Sequence, residues 1–255
     1  MVHQYSYYKM KTIFFLLLPI IFSSCAENDD NNFIGTRHSF IKIVHEENVK
    51  ICNDGKCVQK TFKSVSSGAV VLYRGNEDTV LTAAHSCMHS KPTALNDVVD
   101  GTIEIKTSIF GYDTDNLKHI LEVKKVDEDN DLCLLVADTL SSPALELSKK
   151  EPPLDGIYYN FAAPHGIFAA NMIPMFSGHF SGEYENMAAY TIPAKQGSSG
   201  SPIVNKNGKL VGMIHSVHNQ FENFSLSATY SAIKNFLEVE DEEEDQNPIF
   251  WNISL

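Results

Sequence analysis

Three short segments of this chain hold side chains that, brought together, could turn a hydroxyl into a nucleophile. In Val80-Leu-Thr-Ala-Ala-His85-Ser-Cys87 a strand of small and apolar residues delivers a histidine at its end. In Asp129-Asn-Asp131-Leu-Cys-Leu-Leu135 an aspartate stands directly before an apolar run, at a strand mouth where it could be shielded and aimed at an imidazole. In Gly197-Ser-Ser199-Gly-Ser-Pro202 a serine is presented at a tight bend. There Gly197 lets its N–H point inward, and Gly200 avoids a clash beside Ser199. A serine hydroxyl is a poor nucleophile near neutral pH, so a neighbouring base must take its proton during attack. Each segment also has a plain reading: one surface histidine among ten, a strand-start turn, a Gly/Ser loop. Their order along the chain, His then Asp then Ser, makes them a set.

Strands must position these groups. Ser67 to Tyr73 and Thr79 to Ala84 are apolar runs split by the turn Arg74 to Asp78. From Thr102 to Phe110 the apolar and polar residues alternate, with Ile103, Ile105 and Thr107 against Glu104, Lys106 and Ser108, as a half-buried strand requires. His119 to Val126 and Leu132 to Val136 follow. Pro143 to Pro153 reads as a connection between two halves. The second half carries further strands at Ile157 to Ala163, Met172 to Phe180, Ala188 to Pro193, Pro202 to Asn205 and Leu210 to Ser216. Ile233, Phe236 and Leu237 share one face of a short helix at Ser231 to Leu237. The expected class is all-β, in two units of similar size with no internal sequence repeat.

The formal charge of -12 excludes a nucleic-acid partner, because phosphate binding needs clustered Lys and Arg. Much of that charge sits in the run from Glu238 to Asp245, the start of an acidic tail at 239–255 that ends in the apolar Ile249 to Leu255. At the other end, Lys9 and Lys11 precede the apolar run Ile13 to Phe22 and Ser-Ser-Cys25, the layout of a secretory signal over residues 1–25. The Ser-Ser-Cys ending resembles the lipobox of bacterial lipoproteins, which makes Cys25 a lipidation candidate and a membrane lipid anchor a partner. A polar tether at 26–37 follows. The expected location is exported, as a cell-envelope lipoprotein or a secreted protein.

Four cysteines remain: Cys52, Cys57, Cys87 and Cys133. In an exported chain an even set reads first as disulfides. Cys52 and Cys57 bracket the hairpin turn Asn-Asp-Gly-Lys and could face each other across it; Cys87 with Cys133 is the remaining pair. A zinc site built on His85, Cys87 and His89 is the rival reading, but no paired Cys-x-x-Cys motif accompanies it. No metal or other cofactor is expected.

Together the motifs resemble those of the chymotrypsin-like or trypsin-like serine peptidases in their compact bacterial and viral form. Thr82-Ala-Ala-His85, Asp131-Leu-Cys-Leu-Leu and Gly197-Ser-Ser199-Gly-Ser-Pro match that family's histidine strand, aspartate strand and nucleophile loop. The last is nearest the variant in glutamyl endopeptidase-like members, and Ala162-Ala-Pro-His-Gly166 resembles a loop of HtrA-like members. The resemblance implies two six-stranded antiparallel barrels with a cleft between them and a short C-terminal helix. The first barrel would span 38–145 and carry His85 and Asp131; the second, at 154–238, would carry Ser199. It implies that His85 is the base, that Asp131 holds its tautomer, and that the N–H groups of Gly197 and Ser199 form an oxyanion hole. The partner is then a protein or peptide substrate.

Two departures stand out. Where members activated by trimming have an aspartate before the nucleophile, this chain has Ser198, so no zymogen switch of that kind is expected. His215 stands one position later than the histidine with which glutamyl endopeptidases bind acidic side chains. Strand alternation would turn it toward the triad instead. Ala194 and Val217 join it as candidates for the substrate pocket or for triad support. The rival function is a surface binding module without activity on the same fold. The sequence leaves the oligomeric state open.

Overall fold

The computed structural model describes residues 35–53, 55–88, 102–137, 139–218 and 221–238. The expected signal with Cys25, most of the polar tether, His89 and the acidic tail from 239 lie outside them.

Twelve strands close two barrels. The first contains β1 (Phe40–Asn53), β2 (Lys56–Tyr73), β3 (Asn76–Ala83), β4 (Thr102–Tyr112), β5 (Lys118–Asp127) and β6 (Leu132–Val136), in the order β1-β2-β3-β6-β5-β4. The second contains β7 (Ile157–Phe161), β8 (Met175–Tyr184), β9 (Met187–Tyr190), β10 (Ser201–Val204), β11 (Leu210–His218) and β12 (Phe221–Ala228), in the order β10-β11-β12-β9-β8-β7. Helix α1 (Tyr230–Glu238) follows. This is the expected all-β class and architecture.

Inward-facing apolar side chains fill the barrels, although Ile103 and Ile105 of β4, expected on the buried face of a half-buried strand, are exposed where the β1–β2 hairpin and β4 extend past the core. Ile41, Ile43, Val70, Val80, Cys133 and Leu135 point into the first, and Tyr158, Tyr190, Ile192, Ile203, Val211 and Ile214 into the second. A third apolar cluster takes Phe40, Val71, Leu132 and Leu134 from one barrel and Phe161, Val204 and Met213 from the other. Ile233, Phe236 and Leu237 of α1 close it. Burying that shared face fixes the barrels against each other, and so fixes the cleft in which residues from both must meet.

The expected connection from Pro143 to Pro153 is more than a linker. Leu145 bridges to Val71 of the first barrel and Leu147 to Leu210 of the second, so its backbone stitches the two together. Several strand limits differ from the sequence reading: β2 starts at Lys56 instead of Ser67 and β7 ends at Phe161 instead of Ala163, and two further differences have local causes. β9 ends at Tyr190 instead of Pro193, because Thr191 turns its amide onto the carbonyl of His179 and its hydroxyl toward the His179 amide. β8 begins at Met175 instead of Met172, directly after Pro174, which has no N–H to give a ladder. β1 and β2 form a long hairpin whose register sets Cys52 opposite Cys57, and the two are joined as a disulfide.

Candidate active site

The register of β3 on β6 pairs Ala83 with Leu132. It therefore sets the residues just beyond each strand end side by side. After β3 the chain enters a single 3-10 turn, Ala84–Ser86, that carries His85. Before β6, Asp131 takes a left-handed backbone conformation with φ 53°, a region that aspartate tolerates better than most residues. Its carbonyl accepts the Ala84 amide at 3.1 Å. Its carboxylate holds His85 twice: Oδ1 accepts the backbone N–H at 2.9 Å and Oδ2 pairs with Nδ1 at 2.7 Å.

Burial pushes the Asp131 carboxyl up, but the His85 side-chain and backbone hydrogen bonds, with the nearby imidazoles of His85 and His215, bring it below the ordinary carboxylate value. An ionised carboxylate only accepts hydrogen bonds, so Nδ1 carries the proton and the Nε2 lone pair is left to act as a base.

A disulfide joins Cys87 to Cys133. Each cysteine lies two residues beyond one member of the His85–Asp131 pair, so the bridge ties both segments together and takes both thiols away from any metal. It closes a 46-residue separation, and on chain-entropy grounds its removal should cost about 4 kcal/mol. A Cys87→Ala/Cys133→Ala double variant is therefore expected to melt earlier and to lose activity at temperatures where the barrel is still folded. Parallel thermal melts and rate measurements check this.

The loop from Gly197 to Ser201 enters from the second barrel and is clamped onto the first. The Ser67 amide donates to the Ser199 carbonyl at 2.8 Å, and the Ser67 hydroxyl to the Gly197 carbonyl at 2.7 Å. That hydroxyl also accepts from the Ala163 amide, while Thr82 Oγ1 donates to the Ser67 carbonyl. A methyl group on Gly200 would sit 2.1 Å from both the Ser67 carbonyl oxygen and Thr82 Oγ1. Only glycine fits there, where φ is +84°. One on Gly197 would sit 2.4 Å from the Ala163 carbonyl oxygen.

Within this loop the amides of Ser198, Gly200 and Ser201 donate to the carbonyls of Lys195, Ile214 and Ser198. Those of Gly197 and Ser199 have no acceptor among the described residues. The Gln196 carbonyl is held by the His165 amide at 2.6 Å. In a trans peptide this turns the Gly197 N–H away from the Ala163–Gly166 turn.

The Ser199 hydroxyl makes a long hydrogen bond, 3.4 Å, to the His215 carbonyl; among the described residues none joins it to His85. His215 itself occupies a bulge. β11 pairs Ile214 with Ser227 and Ser216 with Leu226, leaving His215 as the extra residue. Bulges re-aim side chains, and this one sets His215 Nδ1 3.7 Å from Asp131 Oδ2. Burial and His85 hold the His215 imidazole below its ordinary value against the pull of Asp131.

Ala194 lines a small cavity of about 80 Å³ with Pro164, Phe176, Pro193, Lys195 and Asn223. Val217 does not line it and packs on the second core. A wider hollow of about 890 Å³, lined by Asp127, Asn130, Thr229 and Phe236 among others, contains none of the candidate residues.

Sequence reasoning missed Ser67 and Thr82. Nothing in their spacing marks them, since the contacts they make lie 130 and 15 residues away.

Residues 66–213, from β2 into β11, match the family model of the trypsin-like peptidase domain. No curated protein matches the chain in sequence. Among solved structures, the HtrA-type protease AlgW with a decapeptide superposes with TM-score 0.62 at 15% identity, over 82% of this chain and 66% of that one. Rv3671c from M. tuberculosis, in an inactive form, gives 0.55 at 16%, over 80% of this chain and 87% of that one. The serine endoprotease from Yersinia pestis gives 0.59 at 13%, over 81% and 64%. The chain thus spans about two thirds of the AlgW and Yersinia chains, and at these identities the likeness is one of fold. The family model covers more than half of the 255 residues, and both closed barrels agree with it: the chain belongs to the trypsin-like serine peptidases.

Proposed function

We propose that this protein is an endopeptidase that cleaves peptide bonds through His85, Asp131 and Ser199 by way of an acyl-enzyme. The observation that carries the reading is the doubly hydrogen-bonded His85–Asp131 pair beside a serine loop two of whose amides have no acceptor among the described residues.

In the proposed cycle the Ser199 hydroxyl turns from the His215 carbonyl to Nε2 of His85. Oγ attacks the scissile carbonyl carbon as its proton passes to Nε2. The carbonyl π electrons move onto oxygen, and the N–H groups of Gly197 and Ser199 receive that negative charge. One such donor typically lowers the barrier by about 3 kcal/mol. Asp131 stabilises the imidazolium without taking its proton. The tetrahedral adduct collapses, the C–N bond breaks, and His85 returns the proton to the leaving amine. Water then repeats the sequence on the ester and frees Ser199.

That AlgW was solved with a decapeptide supports a peptide as substrate. His215 faces Asp131 and does not line the cavity beside Ala194, which argues against a preference for acidic side chains carried by this histidine. Incubating the purified protein with a peptide library should give internal cleavage products. Binding of peptides by the intact protein without any cleavage would instead make it the inactive binding module.

Two disulfides fit an oxidising compartment, and among the described residues no helix is long and apolar enough to cross a membrane. We place the protein in the cell envelope, held by acyl chains on Cys25. Cys25→Ser should then move it from the membrane to the soluble fraction, because the acyl chains supply the anchoring. A mature wild-type mass without lipid would contradict the anchor.

A further inference from the structure

Among the described residues of the second barrel, His215 meets both ends of the proposed relay. Its carbonyl accepts the Ser199 hydroxyl, and its imidazole lies 3.7 Å from the carboxylate oxygen that also holds His85 Nδ1. Its side chain is 14% exposed, against 48% for His85, so solvent screens it little. Among the described residues, the charged groups that face it are Asp131, from the turn before β6, and His85, from the turn after β3. The bulge on β11 that aims it there interrupts the pairing with β12, so the placement costs ladder hydrogen bonds.

We propose that His215 is a positioning residue that brakes the enzyme in acid: neutral, it walls off Asp131; protonated, it competes with His85 for Asp131 Oδ2 and repels the His85 imidazolium. At 3.7 Å the neutral ring is too far for a hydrogen bond, and it excludes water from that side of the carboxylate. A proton on His215 makes the contact an ion pair, and Oδ2 then has two cationic claimants. Each catalytic cycle must create a positive charge on His85. A fixed positive charge close by, in a site of low screening, raises the free energy of that step. Burial and His85 both oppose that proton at neutral pH, so the brake engages only as pH falls below the ordinary imidazole value of 6.5.

The inference rests on His85 being the base, and its test separates the two. The pH dependence of kcat/KM is measured for wild type, His215→Gln and His85→Ala. Wild type should need two sites deprotonated, so its acid limb should steepen from one toward two decades of rate per pH unit. His215→Gln should lose a few-fold in rate at pH 8, through poorer placement of Asp131, and its limb should stay at one decade per unit. Relative to its own plateau it should outperform wild type by roughly tenfold for each pH unit below the His215 titration. A merely structural histidine would lower the plateau and leave the slope alone. If both enzymes show the same slope while His85→Ala is dead, the brake is overturned and the relay stands. If His85→Ala keeps its activity, the relay itself fails. Should His215→Gln not fold, proton NMR of the wild type decides. The His85 Nδ1 proton resonance should shift or vanish as His215 takes up its proton, and an unchanged resonance overturns the proposal.

Discussion

Ser199→Ala should lower kcat by about 10⁶, the loss typical when a relay serine is removed, with the fold intact. The two neighbouring serines provide the controls. The Ser198 hydroxyl is turned inward onto the Lys195 amide, and that of Ser201 accepts from Asn160 Nδ2 at 2.8 Å; both residues are buried. Neither hydroxyl can reach a substrate carbonyl, so Ser198→Ala and Ser201→Ala should lose stability before they lose chemistry. The relevant measurement is kcat on one peptide substrate for all three variants, with circular dichroism to confirm folding. A dead Ser198→Ala beside an active Ser199→Ala would move the nucleophile by one residue.

Asp131→Asn should cost about 10⁴ in rate while keeping the barrels closed. An amide offers both a donor and an acceptor, so it permits the imidazole tautomer in which Nε2 is protonated and useless as a base. The same substitution has a signature in stability. The folded-state carboxyl of Asp131 lies below its ordinary value of 3.8. Its ionised form therefore stabilises the native state fully above pH 3.8, and that contribution fades as pH falls through the lower folded value. His215 works in the same direction. Held below 6.5 when folded, it lets the unfolded chain take up the proton first, so stability declines as pH drops below 6.5. Melts of wild type and Asp131→Asn should differ most at neutral pH and converge as pH falls below 3.8 through the lower folded value of Asp131. A gap of constant size would mean that the Asp131 carboxyl is not held below its ordinary value, and a fully active Asp131→Asn enzyme would make another carboxylate, such as Asp127 or Asp129, the working partner of His85.

How much of this was legible in the sequence depended on how local the cause was. The Gly197-Ser-Ser199-Gly motif is readable because each glycine answers a steric demand of its own loop. The Cys52–Cys57 bridge is readable because a hairpin turn sets the two cysteines opposite each other. The β-class followed from alternation and turn residues. The clamp made by Ser67 and Thr82 was not legible, because its meaning lies in a loop more than a hundred residues away that only barrel docking brings near. Strand alternation gave the direction of His215, but the means is a bulge, which depends on how β12 pairs and not on β11 alone. The part played by Pro143 to Pro153 was hidden for the same reason. A polar, proline-rich segment reads as a linker, while the two leucines that stitch it to both barrels are decided by what lies beside them.

Covalent labelling of wild type with a fluorophosphonate, mapped by peptide mass spectrometry, tests the central claim most directly. The reagent reacts only with a serine whose proton is taken by a base and whose oxyanion is received. The account predicts one adduct, on Ser199, forming in step with the loss of peptidase activity and absent from His85→Ala. An adduct on any other serine, or an unlabelled Ser199 in a protein that still hydrolyses peptides, would contradict it.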